Sequence, residues 1–174
     1  VYASSSSVYG DEPNLPKRED RTGNLLSPYA LTKRCDEEWA KQYTRYYGLD
    51  TYGMRYFNVF GRRQEPDGAY AAVIPKFIKM LMNGEQPTIN GDGKQSRDFT
   101  YIDDIVEGLM RLLEHPSTAK VPHTVYNIGH SDPVRLMDFI RTIEQTTGCK
   151  AILKMEEMQP GDVYRTCADT SRLQ

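Results

Sequence analysis

The chain has 174 residues, of which 39% are hydrophobic and 26% charged, and its formal net charge is −2. This balance gives no reason to expect a nucleic acid or an anionic membrane as a partner. No apolar run approaches the roughly 20 residues that a membrane-spanning helix needs. The length suits one domain, or one domain and part of a second.

The cysteines and histidines are the residues that could form disulfides or bind a metal. Cys35, Cys149 and Cys167 are far apart, and no two of them form a C-x-x-C pair. This pattern favours free thiols in a reducing compartment, so we expect a cytoplasmic protein. The histidines lack the spacing of metal ligands, so we expect no metal site.

The first part of the chain predicts a strand, a helix and a second strand. The opening "VYASSSSVYG" is typical of the end of a buried strand that runs into a polar loop. A helix is predicted over residues 27–47. Ser27 can cap it, Pro28 fits its first turn and Gly48 can end it. The β-rich run that follows predicts a strand over Thr51–Phe57.

The middle of the chain predicts two further helices separated by a short strand. "AVIPKFIKMLMNG" has helical apolar spacing and ends at Gly84, and "PTING" is typical of a strand. The second helix, "IDDIVEGLMRLLEHP", has Asp103 or Asp104 as its expected cap and Pro116 as its end. Asp104 and Glu107 would form a pair similar to a capping box, so we assign these carboxylates to capping and not to catalysis.

The last part contains the β-rich run "TVYNIG", the amphipathic helix "SDPVRLMDFIRTIEQTTG" and a strand at "AILKM". Ser131 or Asp132 is the expected cap of this helix, and Gly148 follows its end. A further helix would start at Thr170 or Ser171. The alternation of strands and helices predicts an α/β architecture with a mainly parallel sheet.

In sheets of this kind, ligands bind beyond the carboxyl ends of the strands. The loops after Ala3 and after Phe57 lie at such ends. The glycine-rich fingerprint that opens a dinucleotide-binding fold does not occur in the sequence, and the chain starts within a strand. We therefore expect both termini to be cuts through a larger domain.

Tyr29 and Lys33 lie four positions apart in the first predicted helix. This spacing places two side chains on one helix face, with Cβ atoms about 5–6 Å apart. A phenol keeps its proton until about pH 10, but a nearby ammonium stabilises the phenolate, as a positively charged nicotinamide ring would also do. The two residues could form an acid/base device, or they could be ordinary residues at helical spacing.

Serine hydroxyls occur at the end of the preceding strand, in "SSSSVYG". Such a hydroxyl can donate to and accept from a substrate hydroxyl, and so help to shuttle a proton. Taken alone, serines at a strand end are more often turn formers. Strand-end serines that are followed, after a gap, by Tyr-x-x-x-Lys form a combination that is much rarer by chance.

This combination resembles the extended short-chain dehydrogenase/reductase family. From Ser4 to Asp169, the motifs "SSSSVYG", "SPYALTK", "RYFNVFG", "SRDFTYIDDI" and "PGD" occur in the order found in nucleotide-sugar 4-epimerases. The resemblance implies an NAD(P)-binding Rossmann-like fold, without its glycine-rich loop, and a smaller α/β substrate-binding domain. It assigns residues 1–60 to the dinucleotide-binding domain, to which 97–115 would return, and 61–174 mainly to the substrate domain.

The resemblance implies roles for the acid/base residues. Tyr29 would be the catalytic base, and Lys33 would bind the nicotinamide ribose of an NAD cofactor while stabilising the phenolate. Ser5 would shuttle the proton. Ser6 is the alternative, because the run of serines leaves the alignment open.

The resemblance also assigns contacts to the cofactor and to the nucleotide of a UDP-sugar. Tyr56 and Phe57 would lie beside the cofactor. Asn58 would hold a diphosphate oxygen, and Arg97 would clamp the diphosphate, which an arginine fork suits better than a lysine. Asp162 would accept hydrogen bonds from the ribose hydroxyls of uridine.

A further set of residues would line the sugar and uracil ends of the pocket. The set comprises Gln64 and Ala72 at the sugar, Val73 at the uracil end, the backbone of Ile89 and Asn90 near the uracil ring, and Thr166 beside the sugar. A tyrosine at the position of Thr166 would leave little room for an N-acetyl group, whereas threonine leaves space.

The motifs point to two substrate subclasses. "FNVFGRRQ" and Thr166 resemble enzymes that act on UDP-N-acetylglucosamine, whereas "QPGDV" resembles UDP-glucuronate 4-epimerases. Gln159 stands where many sugar epimerases carry an arginine, which puts one phosphate contact in doubt unless Arg165 replaces it. The sequence does not decide between the two sugars.

Other interpretations remain open. A 4,6-dehydratase would need an Asp-Glu pair where this chain has Ser6 and Ser7. An inactive fragment or a sugar-nucleotide-binding module is possible because the glycine-rich loop is absent, and we expect the 174-residue chain alone to be inactive. Arg97 could instead form a surface salt bridge with Asp98. The resemblance also implies a helix-mediated homodimer.

Overall fold

The computed structural model describes residues 1–67, 73–115, 120, 122–157 and 162–174. In chain order the strands are β1 (Tyr2–Ser5), β2 (Thr51–Tyr56), β3 (Val59–Phe60), β4 (Thr88–Asn90), β5 (Ser96–Arg97), β6 (Thr100–Tyr101), β7 (His123–Ile128), β8 (Val134–Arg135) and β9 (Lys154–Glu156). The helices are α1 (Pro28–Tyr47), α2 (Val73–Met82), α3 (Ile102–Glu114) and α4 (Leu136–Thr147), and a short 3-10 helix, Ser6–Tyr9, follows β1.

The largest sheet in the described part of the chain has the order β1-β2-β7, and its strands are all parallel. Ser5 is paired with Tyr56, and Tyr56 with Ile128, so the carboxyl ends of the three strands meet at one edge. This arrangement confirms the predicted α/β fold with a mainly parallel sheet. β7 lies inside the range 61–174 and pairs with β2, which lies inside 1–60.

Helix α1 begins and ends where the sequence predicts. The Ser27 Oγ accepts a hydrogen bond from the Ala30 N–H at 3.1 Å, and Pro28 occupies the first turn. Gly48 ends the helix with a φ of 67°, a left-handed conformation that glycine adopts without steric cost. The helix packs on β1 and on the 3-10 helix, which brings its first turns to the carboxyl edge of the sheet.

A buried ion pair fixes α1 on the sheet. Glu37 of α1 and Arg55 of β2 are 4% and 2% exposed, and two guanidinium nitrogens donate to the two carboxylate oxygens, each at 2.8 Å. The Ser4 Oγ of β1 donates to the Glu37 Oε1 at 2.6 Å. Burial raises the pKa of the Glu37 carboxyl, but the hydrogen bonds and charge of Arg55 outweigh it, so this pKa lies below its ordinary value.

These polar contacts continue from Arg55 to β7. The Arg55 guanidinium lies over the ring of Tyr9, 4.8 Å from its centroid, and the Tyr9 hydroxyl donates to the Asn127 Oδ1 at 2.6 Å. The Asn127 Nδ2 donates to the carbonyls of Lys17 and Asp169 at 2.7 and 3.0 Å. These buried side chains therefore connect all three strands with the two chain segments that flank them, and each of the groups named has a hydrogen-bond partner.

The predicted cap of α3 is wrong. Tyr101 is the N-cap and makes no side-chain capping bond, whereas Asp103 and Asp104 lie inside the first turn. The helix starts early because Thr100 and Tyr101 pair with β3 and lead straight into it. The two carboxylates still lie near the positive end of the helix dipole, where a negative charge is stabilised. The predicted stop, Pro116, lies outside the described residues.

The predicted start of α4 is also wrong. Val134 and Arg135 form β8, which pairs antiparallel with β5, so the helix begins at Leu136 and has no cap from Ser131 or Asp132. Its end is confirmed, because Gly148 takes a φ of 71°.

Three smaller differences concern local backbone. The serine-rich loop after β1 is a 3-10 helix, and the strand predicted at "AILKM" lies at Lys154–Glu156, paired with β4. The predicted helix start at Thr170 or Ser171 is a turn, closed by a hydrogen bond from the Leu173 N–H to the Thr170 carbonyl at 3.0 Å.

Apolar packing in the described residues includes two larger clusters and a small third one, which consists of Tyr9, Phe57 and Ala168. The first joins β2, α3 and β7 through Tyr52, Met54, Ile105, Leu112 and Ile128. The second joins α2, β4 and α4 through Phe77, Leu81, Ile89, Ile140 and Ile143.

Cys35, Cys149 and Cys167 are free thiols. In the described ranges, no group of three or more His, Cys, Asp or Glu side chains is placed to hold a metal ion. None of the helices described there combines the length and the apolar character needed to cross a bilayer.

Replacing Glu37 by alanine would leave the Arg55 charge buried without its partner. We expect the free energy of unfolding, measured by chemical denaturation, to fall by about 3–5 kcal/mol. The control is Glu38→Ala, because Glu38 is 53% exposed and its ion pair with Arg34 is 3.5 Å long. This control should cost less than about 1 kcal/mol. Similar losses in both variants would contradict the role assigned to burial.

Candidate active site

The carboxyl end of β1 carries the candidate proton-shuttling serines. Ser5 caps the 3-10 helix, where its Oγ accepts a hydrogen bond from the Ser7 N–H at 3.2 Å. Its hydroxyl proton remains able to donate to a ligand. Ser4 is already committed to the buried Glu37 carboxylate. The structure therefore leaves Ser5 and Ser6 as the candidates that the sequence proposed.

Lys33 connects α1 to β1 close to Tyr29. Its Nζ is 6.0 Å from the centroid of the Tyr29 ring and donates to the carbonyl of Ala3 at 3.0 Å. It also contacts the Asp36 carboxylate at 3.3 Å. Tyr29 is 45% exposed. The structure thus brings the predicted pair together beside the strand that ends in the serines.

Tyr56 and Phe57 differ in their surroundings. Tyr56 is half-buried against the first apolar cluster, and burial raises the pKa of its hydroxyl. Phe57 has no exposed surface and packs on Tyr9, with ring centroids 6.0 Å apart, and on Ala168. The placement of Phe57 beside the cofactor stays a prediction, and its side chain is buried in the described part of the chain.

A cavity of about 600 Å³ opens beside the end of β2. Its volume lies within the range of roughly 300–1,000 Å³ that small-molecule sites occupy. Its walls come from the segment after β2, from α2, from β4 and β5, and from the start of α4. They comprise Asn58, Val59, Val73, Ile74, Lys76, Phe77, Met80, Thr88, Ile89, Asn90, Gln95, Arg97, Phe99, Leu136, Glu156 and Asp162.

Most of the predicted substrate residues line this cavity. They are Asn58, Val73, Ile89, Asn90, Arg97 and Asp162. Gln64 and Thr166 do not line it, and Ala72 lies outside the described residues, as does Gln159. Gln64 instead donates to the Val59 carbonyl at 3.2 Å, and its Oε1 is buried with no hydrogen-bond partner in the described part of the chain.

Sequence reasoning missed part of the apolar wall of the cavity. Phe77, Phe99 and Leu136 line it, and the Phe99 ring lies 5.1 Å from that of Phe139. One signal was available, because Phe99 is two positions after Arg97 in the extended "SRDF" segment. Residues two apart in extended chain project to the same side.

Arg97 is held at the cavity wall by three acceptors. One Nη donates to the carbonyls of Ser96 and Tyr164 at 3.1 and 3.2 Å, and the other Nη is 3.2 Å from the Asp162 carboxylate. Burial lowers the pKa of the Arg97 guanidinium below its ordinary value, and the Asp162 charge opposes this shift. The expected alternative, a surface salt bridge with Asp98, is wrong because the partner is Asp162.

Asp98 holds the backbone behind the cavity. It is fully buried, and its carboxylate accepts hydrogen bonds from the backbone N–H groups of His130, Ser131 and Ala168 at 2.7–3.2 Å. A carboxylate with several backbone donors is well compensated for burial. This residue therefore joins the loop after β7 to the chain that follows Thr166.

Thr166 and Asn58 are tied to the backbone of Asp98. The Thr166 Oγ1 accepts from the Asp98 N–H at 2.9 Å and from the Asn58 Nδ2 at 3.1 Å. The Asn58 Nδ2 also donates to the Asp98 carbonyl at 3.0 Å. Thr166 is 6% exposed, so its hydroxyl serves the fold rather than an open pocket.

The site thus has two parts: a tyrosine and lysine at the sheet edge, and a cavity whose wall carries an arginine. The NAD dependent epimerase/dehydratase family model matches residues 1–129. The chain belongs to this family.

Solved structures of similar proteins support the assignment. A UDP-N-acetylglucosamine 4-epimerase from Methanobrevibacter ruminantium M1, in complex with UDP-N-acetylmuramic acid, is 38% identical with a TM-score of 0.91, and the match covers 99% of this chain and 54% of that one. A UDP-glucuronic acid 4-epimerase from Bacillus cereus, in complex with UDP-glucuronic acid and NAD, is 36% identical with a TM-score of 0.87, and the match covers 98% and 52%.

A curated relative leads to the same family. A probable UDP-glucuronate 4-epimerase of Rhizobium meliloti is 38% identical over 190 residues, which cover 100% of this chain and 54% of the relative. The chain spans about half the length of the curated relatives that it matches.

Thr166→Val would remove the acceptor shared by the Asp98 N–H and the Asn58 amide. We expect the free energy of unfolding to fall by about 1–3 kcal/mol, because buried donors would lose their partner. Thr166→Ser keeps the Oγ and is the matched control, compared by chemical denaturation. A valine variant as stable as the serine variant would show that these hydrogen bonds do not matter.

Proposed function

We propose that the intact protein containing this chain is an NAD-dependent UDP-sugar 4-epimerase that acts on UDP-N-acetylglucosamine and UDP-N-acetylgalactosamine through a 4-keto sugar. One observation carries the proposal. The neighbouring side chains of the exposed Tyr29 and the partly buried Lys33 occur together with a cavity that collects most of the predicted nucleotide-sugar residues, in one chain of this family.

Tyr29 and Ser5 would handle the proton. Tyr29, as phenolate, takes the proton of the sugar 4-hydroxyl, directly or through the Ser5 hydroxyl at the end of β1. Lys33 stabilises the phenolate by its charge. General base catalysis of this kind contributes about 10²–10⁴-fold to a rate.

The residues present fit the nicotinamide ribose of NAD. The Lys33 ammonium has three N–H donors, of which the contacts with Ala3 and Asp36 use two, and its side chain is 23% exposed. A third donor can therefore reach a ribose hydroxyl. When bound, NAD⁺ supplies a hydride acceptor for sugar C4.

The cavity would hold the nucleotide and leave the hexose free to turn. Arg97 offers charge to the diphosphate, and the backbone near Ile89 and Asn90 approaches the uracil. Binding energy placed on this remote part of the substrate positions the sugar without fixing its ring. An epimerase needs this freedom, because the sugar must present its opposite face before it recovers hydride.

UDP-glucuronate is the second candidate substrate. "QPGDV" favours it, and a relative named for this activity matches the whole chain. The polar strand end around Ser5 and Ser6 could accept a carboxylate as well as a hydroxyl. The Thr166 hydroxyl does not separate the two sugars, because the Asp98 backbone and Asn58 already use it.

The assembly of the protein is part of the proposal. Trp39, Tyr43 and Tyr47 form an aromatic row along α1, with successive ring centroids 6.4 and 5.3 Å apart, and Trp39 is 65% exposed. This row supports a homodimer formed through the helix. Free cysteines support a reducing compartment such as the cytoplasm.

The division of the protein into domains is also proposed. The two apolar clusters support a boundary near residue 60, since the first joins β2 to α3 and the second lies among α2, β4 and α4. No G-x-x-G-x-x-G stretch occurs in the 174 residues. We therefore expect the chain by itself to lack turnover.

Incubation of the intact protein with NAD⁺ and UDP-N-acetylglucosamine should yield UDP-N-acetylgalactosamine, separated by anion-exchange chromatography. Conversion of UDP-glucuronate instead would favour the second candidate, and loss of water detected by mass spectrometry would favour a dehydratase. No conversion of either sugar would contradict the proposed function.

Tyr29→Phe should lower turnover by about 100-fold or more, because the base is lost. Its dissociation constant for UDP should stay unchanged, because Tyr29 does not line the nucleotide cavity. Retained turnover in this variant would exclude Tyr29 as the base.

A further inference from the structure

Two side chains expected to bind different parts of the ligand bind each other in the structure. Arg97, expected at the diphosphate, and Asp162, expected at the ribose, both line the cavity and form an ion pair of 3.2 Å. The Arg97 side chain is 18% exposed and the Asp162 side chain 40% exposed. An anion that enters the cavity must therefore compete with Asp162 for the guanidinium.

Arg97 does not need Asp162 to keep its place. Two backbone carbonyls, those of Ser96 and Tyr164, hold one of its terminal nitrogens at 3.1 and 3.2 Å. The carboxylate contributes a single contact through one oxygen. Asp162 is thus arranged as an exchangeable counter-ion rather than as a support.

We propose that Asp162 is a specificity-determining residue, which makes Arg97 available to a ribonucleoside diphosphate in preference to a free anion. This inference rests on the proposed function. A bare pyrophosphate must displace Asp162 and leaves its carboxylate without a cation. A ribonucleoside diphosphate brings two ribose hydroxyls, which donate to that carboxylate as the diphosphate takes over Arg97.

Coupling of this kind rejects the inorganic anions that would otherwise occupy an arginine site. It achieves specificity by a penalty on the wrong ligand as well as by a contact with the right one. The penalty disappears if the carboxylate charge is removed, and so does the preference for ribose.

The test measures the affinities of pyrophosphate, UDP and 2′-deoxy-UDP by isothermal titration calorimetry on the intact protein. In Asp162→Asn, pyrophosphate should bind about fivefold tighter than in the unsubstituted protein, a change typical of a partly exposed ion pair. The preference for UDP over 2′-deoxy-UDP should shrink by a similar factor.

Asp92→Asn is the matched control. Its carboxylate accepts from the Tyr164 hydroxyl at 2.9 and 3.0 Å but does not line the cavity. It removes the same charge from a neighbouring loop, and its pyrophosphate affinity should not change. In an Arg97→Gln background, Asp162→Asn should no longer tighten pyrophosphate binding.

Each other outcome contradicts the inference. The inference fails if Asp162→Asn leaves the pyrophosphate affinity unchanged or lowers it. It also fails if Asp92→Asn raises this affinity as much as Asp162→Asn does. If Asp162→Asn kept the full preference for UDP over 2′-deoxy-UDP, the proposed exchange of Asp162 from Arg97 to the ribose hydroxyls would also be overturned. A protein that binds none of the three ligands would refute the proposed function itself, so the two failures are distinguishable.

Discussion

The buried ion pair between Glu37 and Arg55 determines where the candidate base lies. Tyr29, Lys33 and Glu37 follow one another at intervals of four along α1, so they share one stripe of the helix. Because Arg55 and Ser4 hold Glu37 against the sheet, the same stripe directs Tyr29 and Lys33 to its carboxyl edge. Rotation of the helix would break this pair, which is costly for a buried charge.

The cavity depends on a second buried carboxylate. Asp98 accepts from three backbone N–H groups in two chain segments and lies next to Arg97 in sequence, so β5 is fixed with its arginine at the cavity wall. Both parts of the site are therefore built on buried charges with well-made hydrogen bonds. In each case, a polar interior fixes geometry that apolar packing alone would leave adjustable.

Local signals in the sequence predicted α1 well, since its cap and its terminal glycine act within a few residues. They failed for α4, because the antiparallel pairing of β5 with β8 involves residues far apart in the chain and replaces the expected first turn. Phe57 shows another limit. Its burial follows from contacts with Tyr9 and Ala168, which no local pattern contains. The motifs predicted Asn58, Arg97 and Asp162 in the cavity wall. They did not predict Phe77, Phe99 and Leu136, whose place in the wall depends on packing between elements far apart in the chain.

The central claim is that these residues contain the nucleotide-sugar site as well as the acid/base pair. A crystal structure of the intact protein with UDP tests it most directly. The account predicts the diphosphate within hydrogen-bond distance of Arg97 and the uracil beside Ile89 and Asn90. UDP bound away from this cavity, with Arg97 still paired to Asp162, would contradict it.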